Sequence, residues 1–94
     1  MIGRDGKTLR IAGPVNLETM GVMLEDARRL MAAEVTMVDV GDVTEADSSL
    51  IALLLDLTRS ARAAGRALVI SRPTAGLASL AGLYGVDSLL LPAS

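Results

Sequence analysis

The chain has 94 residues, a net charge of −2, one aromatic residue, and neither cysteine nor histidine. This length predicts a single domain over residues 1–94, and the missing side chains exclude disulfides, thiolate metal sites and the usual general base. The weakly acidic balance and the scarcity of aromatics disfavour nucleic acid as a ligand.

Hydrophobic residues make up 51% of the chain and the mean hydropathy is +0.49, which is high for so small a protein. Part of this apolar content is therefore expected on the surface, where it favours a protein partner or a homodimer. No apolar run is long enough to cross a membrane, and no apolar segment follows the basic residue near the N-terminus as in a signal peptide. We therefore expect a cytoplasmic protein without direct membrane insertion.

In chain order, the first predicted element is a β-hairpin. Residues 1–4 and 7–12 flank Asp5-Gly6, a dipeptide that favours a tight turn, and Gly13-Pro14 is expected to end the second strand. Asn16 then suits the N-cap of a helix from residue 17 to about residue 33. Its apolar positions recur at helical spacing, and they are Leu17, Met20, Met23 or Leu24, Ala27, Leu30 and Met31.

The middle of the chain predicts a strand, a loop and a second helix. Residues 35–40 are short, β-branched and apolar, as in a buried strand, and residues 41–46 are expected to form a loop. Asp47 suits the N-cap of a helix over residues 48–64, and Gly65 suits the position just past its end. The first half of this helix is apolar nearly all round and should be buried. The charged residues expected on solvated helix faces are Arg28, Arg29, Asp56, Arg59, Arg62 and Arg66.

The last third predicts a strand and a helix. Residues 67–70 are apolar and indicate another buried strand, and Pro73 suits the first turn of a helix or the position before it. That helix would end at Gly85, and residues 86–91 would form a last strand or a terminal turn. Its packing residues would be Leu77, Leu80, Ala81 and Tyr84. The order β-β-α-β-α-β-α predicts an α/β fold with a small, mostly parallel mixed sheet, an N-terminal hairpin and helices mainly on one face.

The strongest candidate site is Asp47-Ser48-Ser49, at the start of the second predicted helix. Unpaired N–H groups and the positive end of the helix dipole favour an anion there, such as a phosphoserine, a bound phosphate or a partner's carboxylate. Alternatively, the two hydroxyls only satisfy local N–H groups. The residues alone leave both interpretations open.

The remaining candidates carry weaker hypotheses. Tyr84, the only aromatic, is expected to be a partly buried packing residue or, if it is exposed, an interface anchor. No glycine-rich phosphate motif follows a strand, and no acid–base pair has a reason to be perturbed, so we expect neither nucleotide hydrolysis nor another enzymatic activity. We expect no cofactor, and we prefer a solvated acidic loop to a metal site because the calcium-loop spacing is missing. The acidic residues of that loop are Asp39, Asp42, Glu45 and Asp47.

Two segments resemble the STAS domain family. Residues 13–16, Gly-Pro-Val-Asn, are similar to the Gly-x-Leu-Asp before the first helix of these domains, and residues 38–40 with 46–49 are similar to their strand followed by Asp-Ser-Ser/Thr-Gly-Leu. The element order agrees over nearly the whole chain, which implies a STAS-like fold. In anti-sigma factor antagonists of this family the hydroxyl residue after the Asp is phosphorylated, which implies Ser48 as the phosphoacceptor. Leu50 replaces the family's glycine, and its larger side chain is expected to hinder a docking kinase.

A second resemblance narrows the branch. Residues 50–57, 63–66, 80–86 and 90–92 look like the STAS subunit, the B component, of the Mla phospholipid transporter of Gram-negative bacteria, which maintains outer-membrane lipid asymmetry. This resemblance implies a non-enzymatic accessory subunit that binds the cytoplasmic ABC ATPase through the region of Ser48 and Ser49 and the first turns of the second and third helices. The alternative is an anti-sigma factor antagonist whose partner is an anti-sigma factor kinase.

Overall fold

A computed structural model describes residues 1–31 and 34–90 of the chain. Three helices of at least two turns, one short C-terminal helix and four strands alternate along the sequence. They are β1 (Ile2–Asp5), β2 (Thr8–Val15), α1 (Leu17–Leu30), β3 (Met37–Ala46), α2 (Ser48–Ala63), β4 (Val69–Ser71), α3 (Ala75–Leu83) and α4 (Asp87–Leu90). The predicted order is therefore confirmed through α3.

The four strands form one sheet in the order β1-β2-β3-β4. β1 and β2 are antiparallel, whereas β3 runs parallel to both β2 and β4. This confirms the predicted α/β fold with an N-terminal hairpin and an otherwise parallel sheet. Among the described residues, no helix is both long and apolar enough to cross a bilayer.

Alternation along the strands separates a buried face of the sheet from an open one. Leu9, Val38 and Ile70 lie side by side in register on the buried face, where they join the apolar side of α2 in a single core. The neighbouring positions Met37 and Val69 lie on the open face and are partly exposed. The helices thus cover mainly one face, as predicted.

The helices begin where local side-chain chemistry predicts. Asn16 accepts hydrogen bonds from the backbone of Glu18 and Thr19, and Thr19 closes a capping box by accepting from the Asn16 N–H. α1 ends at Leu30 and not near residue 33, and residues 32 and 33 lie outside the described residues. Leu17, an expected apolar position of this helix, is 84% exposed.

The hairpin differs from the prediction by one position. Asp5 pairs with Thr8, so the two turn residues are Gly6 and Lys7 rather than Asp5 and Gly6. Gly6 has a φ of +60°, which suits a glycine at the first central position of a type II′ turn. β2 does not end at Gly13-Pro14 but continues to Val15, with register shifts at both its middle and its end.

The predicted loop at residues 41–46 is wrong, because these residues continue β3. Glycine and acidic residues are poor strand formers, and they hid a strand that pairing with β2 extends as far as Ala46. The start of the strand is also later than predicted, at Met37 instead of residue 35. β3 is therefore the longest strand, with ten residues.

The last residues that the structure describes are helical rather than extended. β4 covers Val69–Ser71 instead of residues 67–70, and Pro73 lies just before Thr74, the N-cap of α3. α3 ends at Leu83, and Gly85 follows with a positive φ of 69°. Residues 87–90 form α4, a single helical turn, so of the two alternatives predicted for residues 86–91 the described residues favour the turn over the strand, and residue 91 lies outside them.

Candidate functional site

The turn between β3 and α2 exposes one serine and buries the next. Asp47 is the N-cap of α2 with extended backbone angles, and its Oδ1 accepts a hydrogen bond of 2.8 Å from the Ser49 N–H. Asp47 and Ser48 are exposed, whereas Ser49 is only 6% exposed. Ser48 therefore presents the accessible hydroxyl, and the Asp47 carboxylate already supplies a negative charge to the N-terminus of α2.

Ser48 lies in a cleft between α2 and the end of α3. The cleft has a volume of about 290 Å³. Its lining residues are Ser48, Ile51, Ala52, Leu55, Tyr84 and Val86. Two of the predicted site residues, Ser48 and Tyr84, thus come together at one surface, whereas Asp47 and Ser49 lie beside it. We call this surface the Ser48–Tyr84 cleft.

Most of the side chains that line the Ser48–Tyr84 cleft are apolar. Tyr84 is the C-cap of α3 and is 52% exposed, so it is not mainly a packing residue and has the exposure of an interface anchor. Leu83, next to Tyr84 in the chain, is 77% exposed. Exposed apolar side chains around a concave surface are typical of a protein-binding site.

Leu50 is not the obstacle that the sequence suggested. Its side chain is 1% exposed and belongs to the hydrophobic core. A protein that approaches Ser48 from solvent therefore does not meet the Leu50 side chain.

A second polar cluster lies on the open face of the sheet, and its basic member, Arg72, was not among the sequence-based candidates. Asp39 in β3 is 8% exposed, and Arg72 at the end of β4 donates to it through Nε, at 3.0 and 3.2 Å from the two carboxylate oxygens, and through Nη2 at 3.0 Å. The Gly41 N–H donates to the same carboxylate at 2.9 Å. Hydrogen bonding by Arg72 lowers the pKa of the Asp39 carboxyl even though burial raises it.

The backbone around this cluster is arranged to hold Arg72. A Cβ at position 41 would lie 2.4 Å from Cζ of Arg72, so the guanidinium occupies the space that only glycine leaves free. Arg72 itself has a φ of +53°, a rare value for a residue with a side chain. Its Nη2 also lies 3.4 Å from Asp42. In the sequence, an aspartate between Val38 and Val40 in a buried strand indicates that a basic side chain neutralises it. The sequence alone does not identify which of the basic residues does so.

The acidic residues around β3 therefore do not form the solvated loop that was expected. Asp39 is buried and ion-paired, Asp47 is a helix cap, and only Asp42 and Glu45 are exposed strand residues. Among residues 1–31 and 34–90, no group of three or more His, Cys, Asp or Glu side chains converges as metal ligands would.

Three of the charged residues expected on solvated helix faces make tertiary contacts, although Arg28 stays exposed. Arg28 in α1 binds Asp56 in α2, with Nη2 to Oδ1 at 3.1 Å, and so joins the two helices. Arg66 is half-buried and donates to the backbone carbonyl of Val35. Arg59 and Arg62 are exposed, as predicted.

The amino-acid sequence matches one known protein family. The family model described as "Mlab, STAS domain" matches residues 2–92. No curated protein matches the chain.

Proposed function

The chain belongs to the STAS domain family, and from this premise we propose that it is a non-enzymatic accessory protein of an ABC-type phospholipid transporter. In this role it binds the cytoplasmic ATPase subunit, supports assembly and activity of the transporter, and so contributes to outer-membrane lipid asymmetry. The description of the matching family supports this branch.

One observation carries the proposal: Ser48 and Tyr84 line the same exposed apolar cleft. Tyrosine is enriched among the residues that dominate binding energy, because it buries a large area and keeps one hydrogen-bonding group. Ser48 adds a small polar contact to this apolar lining, and Leu83, next to Tyr84 in the chain, is also exposed. This combination of an apolar lining and a small polar contact fits a protein partner better than a small polar substrate.

A non-enzymatic role is consistent with the titratable groups of the described chain. The groups whose pKa departs from its ordinary value each belong to an ion pair with an opposite charge. They are Arg28, Glu34, Asp39 and Arg72. A catalytic acid or base would instead combine a shifted pKa with a position in a cleft.

The test is direct binding to a purified ATPase subunit of an Mla-type transporter from the same organism, measured by titration calorimetry. Tyr84→Ala is expected to raise Kd at least about 30-fold, because an interface tyrosine of this kind contributes about 2 kcal/mol or more. Leu17→Ala is the matched control, since Leu17 is also exposed but lies on α1, away from the cleft. Absence of binding by the unmodified chain, or equal effects of the two variants, would overturn the proposal.

A second function is favoured by the accessibility of Ser48. This exposed hydroxyl directly follows the N-cap Asp47, in the position that anti-sigma factor antagonists of the family phosphorylate, and the buried Leu50 does not block it. The chain would then be a phosphorylation-controlled antagonist of an anti-sigma factor kinase. A phosphate on Ser48 would add up to about two negative charges beside Asp47 and would repel an acidic partner surface.

The two functions are separated by incubating the chain with ATP and an anti-sigma factor kinase of the same organism. The antagonist function requires that mass spectrometry find one phosphoryl group on Ser48 and none on the buried Ser49. Ser48→Ala should abolish the modification, and Ser60→Ala, which removes another exposed serine of α2, should not. An unmodified chain that binds the ABC ATPase would exclude the switch and retain the transporter function.

A further inference from the structure

Strand β3 is much longer than the strand on its outer side. It pairs with β2 as far as Ala46, but β4 pairs only with residues 37–39. Within the described part of the chain, residues 42–46 have no backbone hydrogen bonds to any segment other than β2. We call residues 42–46 the open β3 edge, because a strand with one unpaired side offers its N–H and C=O groups to another strand.

A groove runs along the open β3 edge. Val43 and Glu45 lie on one wall, and Leu77 and Leu80 of α3 lie on the other. The groove has a volume of about 210 Å³. Leu77 is a core residue and Leu80 is partly buried against the core, so the wall formed by α3 is apolar. Gly76, at the start of α3, adds no side chain that would narrow the groove.

The acidic side chains of the open β3 edge favour a basic partner strand over a second copy of the same edge. Asp42 and Glu45 are both exposed, and among the described residues Glu45 belongs to none of the ion pairs. Pairing of this edge with the same edge of a second copy would bring like charges together, which is unfavourable across strands. A basic segment would instead place a cation opposite Glu45.

We propose that the open β3 edge binds an extended, basic segment of a partner protein by strand addition. The main-chain hydrogen bonds supply affinity, and alternate side chains of the added strand supply specificity. An apolar side chain of the segment packs on Leu77 and Leu80, and a lysine or arginine meets Glu45. None of the residues that line this groove lines the Ser48–Tyr84 cleft, although the groove includes the first turn of α3, which the resemblance implies as part of the ATPase contact. The peptide experiment that follows uses no ATPase, so a failure of this proposal is distinguishable from a failure of the proposed function.

The probe is an acetylated and amidated seven-residue peptide of alternating lysine and valine, added to the full chain at millimolar concentration. Amide hydrogen exchange is followed residue by residue by NMR. At saturation, amides of residues 43–46 that face the groove should exchange at least about tenfold more slowly, because they exchange only from the small unbound fraction. The β1 edge should exchange at its original rate.

Two controls separate strand addition from general charge attraction. The same peptide with proline in place of every valine loses the valine N–H donors and cannot form a continuous ladder, so it should give much less protection. Glu45→Lys should weaken binding of the lysine–valine peptide about fivefold, the effect of an exposed ion pair of about 1 kcal/mol. Glu25→Lys is the matched control, since Glu25 is an exposed glutamate on α1.

Three outcomes would overturn the proposal. The first is unchanged exchange at residues 43–46 with the lysine–valine peptide. The second is equal protection by the proline peptide, which would exclude backbone pairing. The third is protection of residues 43–46 that grows with the concentration of the chain alone, together with a dimer in gel filtration, because this edge would then pair with a second copy.

Discussion

Arg72 and Asp39 join the end of β4 to the first half of β3 on the open face of the sheet. Three hydrogen bonds of 3.0 to 3.2 Å link the guanidinium to the carboxylate. The contact also fixes the segment that leads into α3, because Thr74, the N-cap of that helix, follows Arg72 by two positions. The Arg72–Asp39 ion pair lies outside the groove, but it helps to position α3, which forms one wall of the groove beside the open β3 edge.

Gly41→Ala is expected to lower the free energy of unfolding by about 1 kcal/mol, because the new Cβ would displace the Arg72 guanidinium and leave the buried Asp39 carboxylate without its main partner. Urea unfolding measures the change. In an Arg72→Ala background the same substitution should cost nothing further, since the clash no longer exists.

Gly3→Ala is the matched control for this substitution. Gly3 is also a strand glycine, but no atom lies within 4 Å of its added Cβ, so alanine there should be neutral or slightly stabilising. Additive losses from Gly41→Ala and Arg72→Ala would contradict the coupling.

Asp39 should also make stability depend on pH in a defined window. Its folded-state pKa lies below the ordinary value of 3.8 because of the hydrogen bonds from Arg72. The resulting stabilisation is therefore present above about pH 4 and is lost as the pH falls through the folded-state pKa. Asp39→Asn should be less stable than the unmodified chain at pH 6, and the difference should shrink as the pH falls below about 4.

Urea unfolding at several pH values gives the two curves. Glu25→Gln serves as the control, because it removes an exposed carboxylate that belongs to none of the ion pairs of the described chain. A stability difference between Asp39→Asn and the unmodified chain that stays constant from pH 6 to pH 2 would show that ionisation of Asp39 is not the cause.

Features set by local chemistry could be predicted from the sequence. Asn16 and Asp47 mark helix starts because their side chains accept hydrogen bonds from N–H groups two or three positions ahead. Gly65, with a φ of +76°, marks the end of α2 in the same way. The parallel sheet follows from the alternation of strands and helices.

Features set by distant contacts could not be predicted in the same way. The second half of β3 is a strand because β2 lies beside it, and its own residues favour a turn. Arg72 contacts Asp39 only because β4 pairs with β3. The sequence contains nine basic residues, and residue type alone does not show which of them pairs with Asp39. The nearness of Ser48 and Tyr84 likewise depends on how α2 and α3 pack.

Asp47 is expected to act on stability through its cap rather than through its charge. Asp47→Ala should lower the free energy of unfolding by about 1 kcal/mol, because the Ser49 N–H loses its acceptor. Asp47→Asn should keep nearly full stability, since asparagine caps as well as aspartate. Thermal or urea unfolding at neutral pH distinguishes the variants, and equal losses for alanine and asparagine would indicate that the carboxylate charge is what matters.

Truncation of two helical leucines should lower the free energy of unfolding by very different amounts. Leu54 in α2 is fully buried, so Leu54→Ala should cost about 2 to 5 kcal/mol through lost burial and a residual cavity. Leu83 in α3 is 77% exposed, so Leu83→Ala should change the free energy of unfolding by no more than about 0.5 kcal/mol. Urea unfolding at neutral pH measures both. A large loss for Leu83→Ala would mean that α3 packs differently, and the Ser48–Tyr84 cleft would then not exist in this form.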